Sequence, residues 1–223
     1  MKSLRFVLLS AICVVIALQS IGCGGSSQSS QIVGKLQVVK GSAVLIHDSN
    51  EAVVKPGENP AVLVGDTVRT GAGSEAVVLA AGQVHMLAEK SELRFERPHE
   101  SGSGASYVNL LQGLATFLFP HTPNKKTQFE AVSNSVVAAV KGTIFRMEHT
   151  SDGAQVTVLR GEVEVHCENA AAGAAPVLTK ASEQAVARDG KVTVSPASAE
   201  DMTKLRTEII LKKALLGADI ATY

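Results

Sequence analysis

Few residues in this chain stand in arrangements that could do chemistry. His166-Cys167-Glu168 sets an imidazole, a thiol and a carboxylate in a row, the ligand types of a metal site. A strand turns neighbouring side chains to opposite faces, so the three are not expected to converge on one ion. The remaining histidines, His47, His85, His99, His121 and His149, are scattered, with no HExxH or paired ligand spacing. Cys167 has no nearby motif to supply a base. Gly71-Ala72-Gly73-Ser74 is glycine-rich like a phosphate loop but lacks the Lys-Ser/Thr ending and a following helix. The expectation is a chain with no catalytic residue, no metal site and no cofactor.

Two polar segments repeat a pattern: Gly65-Asp66-Thr67-Val68-Arg69-Thr70-Gly71 and Lys141-Gly142-Thr143-Ile144-Phe145-Arg146. They could form an exposed ligand-binding edge. Gly-flanked Asp and Thr more commonly satisfy backbone groups in turns, with Arg69 pairing at the surface, and that structural role is the one expected here. Each segment leads into an apolar strand that restarts at a glycine, Gly82 and Gly161 respectively.

One cysteine does have a chemistry suggested by its surroundings. Lys2 and Arg5 precede an apolar run from Phe6 to Leu18, a secretory leader too short for a comfortable membrane span. Leu18-Gln19-Ser20-Ile21-Gly22-Cys23 then resembles a bacterial lipobox, although Ser20 stands where Leu is usual. Cleavage after Gly22 would leave Cys23 as a lipidated N-terminus; an ordinary secretory signal that contains a cysteine is the alternative. Each buried acyl CH₂ contributes about 0.8 kcal/mol, so several chains make a stable anchor. Gly24 to Gln31 has the composition of a flexible tether. In a Gram-negative cell, Gly24 rather than Asp after the cysteine favours the outer membrane.

Composition narrows the partners. Lys and Arg total 21, as do Asp and Glu, and loss of Lys2 and Arg5 with the leader makes the exported part slightly acidic. Nucleic acid is therefore not an expected partner. The chain has no Trp, so no extensive sugar-stacking surface is indicated. Cys13 leaves with the leader and Cys23 takes lipid, so Cys167 has no disulfide partner.

The body reads as strands. Gly34, Gly82, Gly161 and Gly190 each precede alternating, Val-rich residues, and Gly113 opens a looser copy. Gly34 to Gly113 and Gly82 to Gly161 are equally spaced, which two related halves or simple chance would both produce. Lys55 to Pro60, Ser101 to Gly104, Pro120 to Asn124 and Ser151 to Gly153 read as turns. After Pro196 the pattern changes: Ser198-Ala199-Glu200-Asp201 resembles an N-cap box, and Met202, Leu205, Ile209 and Leu216 share a helical face. Ile210, Leu211 and Leu215 would widen that face, and Lys204, Arg206, Lys212 and Lys213 would solubilise the other. The organisation expected is a leader over 1–22, a tether over 23–31, one β domain over 32–196 and a helix within 197–223, packed on or beside that domain.

Val62 to Gly71, the strand Ala76 to Leu79, the Gly82 turn and Ser91 to Phe95 resemble the "GD-x-hydrophobic-x-T-G" stretch of the FecR domain family. Val132 to Phe145 is similar to its "vrGT-x-F" element, with Lys141 where Arg is usual and Asn134 where Pro is common, and Gly161-Glu162-Val163 to its "eG-x-v" continuation. Gly65, Asp66, Thr67, Arg69, Thr70, Gly71, Gly82, Lys141, Gly142, Thr143, Phe145 and Gly161 are the family-motif positions, read as mainly structural. The resemblance implies an all-β, antiparallel jelly-roll-like β-sandwich in the bacterial envelope; a β-roll or solenoid-like stack is the alternative. The best-known relatives are inner-membrane regulators of iron-siderophore uptake, with a cytoplasmic sigma-factor-binding arm. This chain is expected to be a lipoprotein form without that arm.

The functional expectation is a lipid-anchored, non-catalytic binding or scaffolding module that contacts the membrane through its lipid and meets an envelope protein or cell-wall polymer. The alternative is a periplasmic sensor signalling through a separate membrane partner. A hydrolase ranks last, because no acid/base pair or nucleophile stands out.

Overall fold

Alternating sequences become strands because every second side chain can be buried while its neighbours stay in water. The computed structural model describes residues 31–80, 82–96, 106–120, 129–140, 142–171 and 174–216. The chain lays down β1 (Ile32–Lys40), β2 (Ala43–His47), β3 (Asn50–Val54), β4 (Ala61–Leu63), β5 (Thr67–Thr70) and β6 (Glu75–Ala80). It continues with β7 (Gln83–Leu87), β8 (Glu92–Glu96), β9 (Ser106–Gln112), β10 (Leu114–Leu118), β11 (Phe129–Ser133) and β12 (Val136–Val140). Last come β13 (Ile144–Thr150), β14 (Gly153–Arg160), β15 (Glu162–Cys167), β16 (Val177–Lys180), β17 (Glu183–Arg188), β18 (Lys191–Pro196) and the helix α1 (Ala199–Leu216).

These strands form two nine-stranded sheets. Sheet I runs β4-β1-β6-β7-β10-β13-β14-β17-β18 and sheet II runs β3-β2-β5-β8-β9-β11-β12-β15-β16. Only the β9–β11 ladder is parallel among the described pairings. Neither sheet closes into a barrel, so the expected all-β sandwich with a terminal helix is what forms. Strand numbers rise along both sheets, apart from exchanges at the β4/β1 and β3/β2 ends. The chain thus advances through the sandwich in the stacked order of the solenoid-like alternative.

The repeated polar segments do not occupy equivalent places. Thr67–Thr70 is β5 in sheet II, whereas Ile144 to Arg146 begins β13 in sheet I. Gly82 closes a hairpin within sheet I, while Gly161 carries the chain from β14 in sheet I to β15 in sheet II. A Gly-led strand entry serves both positions, so the equal spacing does not reflect equivalent halves of the sandwich.

The main core lies between the sheets. It gathers Phe95, Phe117, Phe119, Phe129 and Phe145 with valines and alanines of both sheets. Phe119 and Phe129 have ring centroids 4.2 Å apart, and Phe117 stacks on Phe145 at 5.0 Å. Sheet I is also covered on its outer face, where Val77, Val84, Met86, Leu118 and Ile144 meet Leu205 and Ile209 of α1. This second layer explains why Ala76-Val77-Val78 in β6 and Val84 to Leu87 in β7 are buried without alternation. In β15 of sheet II, by contrast, burial alternates along Glu162-Val163-Glu164-Val165, as a sheet with one wet face requires.

α1 starts where the sequence indicates. Ser198 Oγ accepts a hydrogen bond from the Asp201 N–H at 3.0 Å, and Glu200 and Asp201 lie in the first turn, where the helix dipole favours negative charge. At about 1.5 Å per residue the helix is long enough to cross several strands of sheet I. Met202, Leu205 and Ile209 are buried beneath it.

Candidate functional site

Asp66 is the most deeply placed polar residue of the first segment, 1% exposed at the entrance to β5. Its Oδ2 accepts from the Leu63 N–H at 2.8 Å, and His47 Nδ1–H donates to its Oδ1 at 2.5 Å. That hydrogen bond, and then the Asp66 charge, raise the His47 pKa above its usual value. The adjoining backbone is closed from both sides: Gly65 N–H donates to Phe95 O at 2.7 Å, and Phe95 N–H returns to Asp66 O at 2.9 Å. Asp66 therefore locks the β4–β5 turn onto β2 and β8.

Thr67 and Thr70 are buried as well. Thr70 Oγ1 donates to Ala88 O at 2.6 Å and accepts from the Ser91 N–H at 3.0 Å, joining β5 to the β7–β8 connection. Gly71 O accepts from the N–H groups of Ser74 and Lys90, each at 3.2 Å. Arg69 is half-exposed, with one guanidinium nitrogen 2.9 Å from both carboxylate oxygens of Glu51 on β3. The segment braces β5 against its neighbours, with Asp66, Thr67, Val68 and Thr70 buried and Arg69 half-exposed.

In the second segment Phe145 is fully buried in the aromatic core, and so is Thr143, whose Oγ1 has no hydrogen-bond partner. Gly82 and Gly142 occupy turns at φ 83° and 65°. Gly161 has φ 84°, and a Cβ there would lie 2.6 Å from Thr143 Cγ2, so this turn needs glycine both for its backbone and for space. Lys141, Gly22 and Cys23 lie outside the described residues.

The residues with titratable chemistry are separated. His166 and Cys167 face opposite sides of β15, with Cys167 in the main core and its thiol pKa pushed up by burial. No cluster among the described residues brings together three His, Cys, Asp or Glu side chains in a form able to hold a metal. His85 sits among Phe95, Phe117, Phe119 and Phe129, and burial pushes its pKa down to about 3, so it is a neutral core residue.

Two arrangements were not foreseen from the sequence. Ser133 Oγ lies 2.9 Å from His149 Nδ1, the geometry of a nucleophile and its base. Ser133 is fully buried and its single hydroxyl hydrogen points to Leu110 O at 2.8 Å. The oxygen must then accept from His149 Nδ1–H, so that nitrogen cannot take the serine proton.

The other lies beneath α1. Arg146 of β13 pairs with Glu208, and Lys212 Nζ is 3.0 Å from Glu75 of β6 and 3.3 Å from Glu208. Lys212 is 4% exposed, whereas Ile210 and Leu211 are 66% and 58% exposed. Met202, Leu205 and Ile209 are buried as expected, whereas Lys212, expected on the wet face, is inside and Ile210 and Leu211, expected to widen the apolar face, are outside. The Glu208/Lys212 spacing was a readable signal for a helical ion pair, but its strand partners come from distant positions. A groove of about 640 Å³ opens beside this network, lined in part by Val39, Lys40, Glu75, Thr207 and Leu211.

Residues 66–164 match the family model described as FecR protein, a span that takes in the first polar segment from Asp66 onward, the second segment and Gly161. No curated protein matches the chain. Two crystal structures of a "putative anti-sigma factor" from Parabacteroides distasonis ATCC 8503, at 1.65 and 2.50 Å resolution, are each 19% identical to it with a TM-score of 0.48. Each match covers 61% of this chain and 62% of the other.

Proposed function

We propose that the chain is a FecR-type regulatory binding module of the bacterial cell envelope, exported by its leader, held by lipid on Cys23 and acting without catalysis. One observation carries most of this reading: Asp66 and Thr70 spend their hydrogen-bonding groups on Leu63, His47, Ala88 and Ser91. That segment, at the start of the FecR match, is a brace for β5, so action is left to the outer surface, the sheet edges and α1. The family match supports a regulatory role and the lipobox-like Gly22-Cys23 supports anchoring, with Gly24 favouring the outer membrane and a periplasmic-facing domain.

In the second reading the same module is a sensor that passes a signal to a separate membrane-spanning partner. No helix among the described residues is long and apolar enough to cross a membrane. Cross-linking in intact cells followed by mass spectrometry tests the binding reading. Reproducible capture of one envelope protein or wall fragment is expected, and recovery of none above background would overturn it.

A further inference from the structure

Both sheets end at the same face of the sandwich, sheet I on β18 and sheet II on β16. β18 is the longest of the four edge strands and pairs with β17 without a break from Arg188/Lys191 to Glu183/Pro196. Short strands, bulges and inward-pointing charges usually guard a sheet edge. β18 has none of these, and its one Lys and one Pro stand at its two ends.

The direction of its backbone groups is fixed twice. Asp189 and Gly190 both have positive φ, at 49° and 73°, the two-residue turn that makes Arg188 and Lys191 a hydrogen-bonded pair. At the other end the Ala197 N–H donates to Ser182 O at 2.9 Å, in the same phase. Thr193 and Ser195 therefore bond to β17, while the N–H and C=O of Val192 and Val194 point out of the sheet edge. No strand among the described residues pairs with them there. Their side chains pack against the main core and are only partly buried, so the core itself is open at this end.

Free N–H and C=O groups on alternate residues fit an extended strand, and this edge fits its own copy. With Thr193 on a twofold axis, Val192 of one strand stands opposite Val194 of the other and exchanges both bonds with it. Thr193 then faces Thr193 and Lys191 faces Ser195, so no like charges meet across the seam. A single foreign strand would cover one sheet only. A second copy, turned about an axis perpendicular to the sheets, also brings β16 to β16 and closes the core from both sides.

We infer that the chain forms a twofold dimer, end of sandwich to end of sandwich, by antiparallel pairing of β18 with β18 of a second copy. The pairing uses only these strand edges and is independent of lipidation at Cys23.

Sedimentation of the full chain, purified in detergent, tests it. The wild type is expected to be a concentration-dependent dimer. Val194→Pro removes an outward N–H that β17 does not use, and should associate at least about tenfold more weakly with an unchanged β-sheet circular dichroism spectrum. Thr193→Lys, which puts like charges on the axis, should also weaken the dimer, and mixing it with Thr193→Glu should restore association. Oxidation should join Thr193→Cys chains, whose Cα atoms would lie about 4.5 Å apart, while Glu164→Cys on exposed β15 stays monomeric. A monomeric wild type overturns the inference. So does a Val194→Pro or Thr193→Lys dimer of unchanged affinity, or an open-ended series of oligomers without the Thr193→Cys disulfide, the mark of head-to-tail stacking.

Discussion

Lys212 Nζ on α1 and Glu75 Oε2 on β6 lie 3.0 Å apart, a link between the C-terminal half of the helix and the third strand from the β4 edge of sheet I. Lys212 also reaches Glu208 at 3.3 Å, and Glu208 in turn holds Arg146. The ammonium is almost fully buried, whereas the Glu75 side chain is 37% exposed, so solvent screens part of the attraction. The pair fixes the rotation of α1 more than it stabilises the fold.

Truncating that ammonium leaves Glu208 facing a partly empty interface. Lys212→Ala is expected to lower unfolding free energy by about 1–2 kcal/mol, and Lys212→Met, which keeps the volume, by less. Urea denaturation of both variants checks this. Equal losses would show that the charge, not the packing of the stem, dominates.

Thr70 and Thr143 are both buried but differ in what their hydroxyls do. Thr70→Val strands the Ser91 N–H and Ala88 carbonyl and is expected to cost about 1–3 kcal/mol. Thr143→Val removes a hydroxyl that has no partner and is expected to be neutral or stabilising. Thermal and urea unfolding of the two variants should give opposite rankings to any scheme based on burial alone.

Gly161→Ala places a Cβ 2.6 Å from Thr143 Cγ2 at φ 84° and is expected to destabilise by more than about 1 kcal/mol. Gly57→Ala has a similar φ of 92° but nothing within 4 Å, so it reports the backbone strain alone. The difference between the two unfolding free energies isolates the contact at the β14–β15 turn.

The His47–Asp66 pair makes stability depend on pH. Because the His47 pKa is raised in the folded chain, its contribution is complete below the unfolded histidine pKa of about 6.5 and fades as pH rises through the folded value. His47→Gln should remove that slope while leaving the rest of the pH profile intact. An NMR titration placing the His47 pKa below 6.5 would contradict it.

Much of this architecture was legible in local pattern. Val163 and Val165 alternate with Glu162 and Glu164, and Ser198 announces the helix, because single-face burial and N-capping are decided within a few residues. The two-sided burial of β6 and β7 was not, since it depends on α1 returning from the far end of the chain. Lys212 was misplaced for the same reason: its partner Glu75 is on β6, and no helical period encodes that meeting. Gly-flanked Asp66 and Thr70 point to turns, but their particular acceptors and donors, such as His47 and Ala88, follow from strand order that spacing does not reveal.

The account depends most on the chain being held at a membrane through Cys23. Radiolabelled palmitate incorporation, measured together with membrane fractionation in cells making the wild type or Cys23→Ala, tests this directly. The account predicts label and membrane retention in the wild type and loss of both in the variant; equal labelling and equal retention of the two would contradict it.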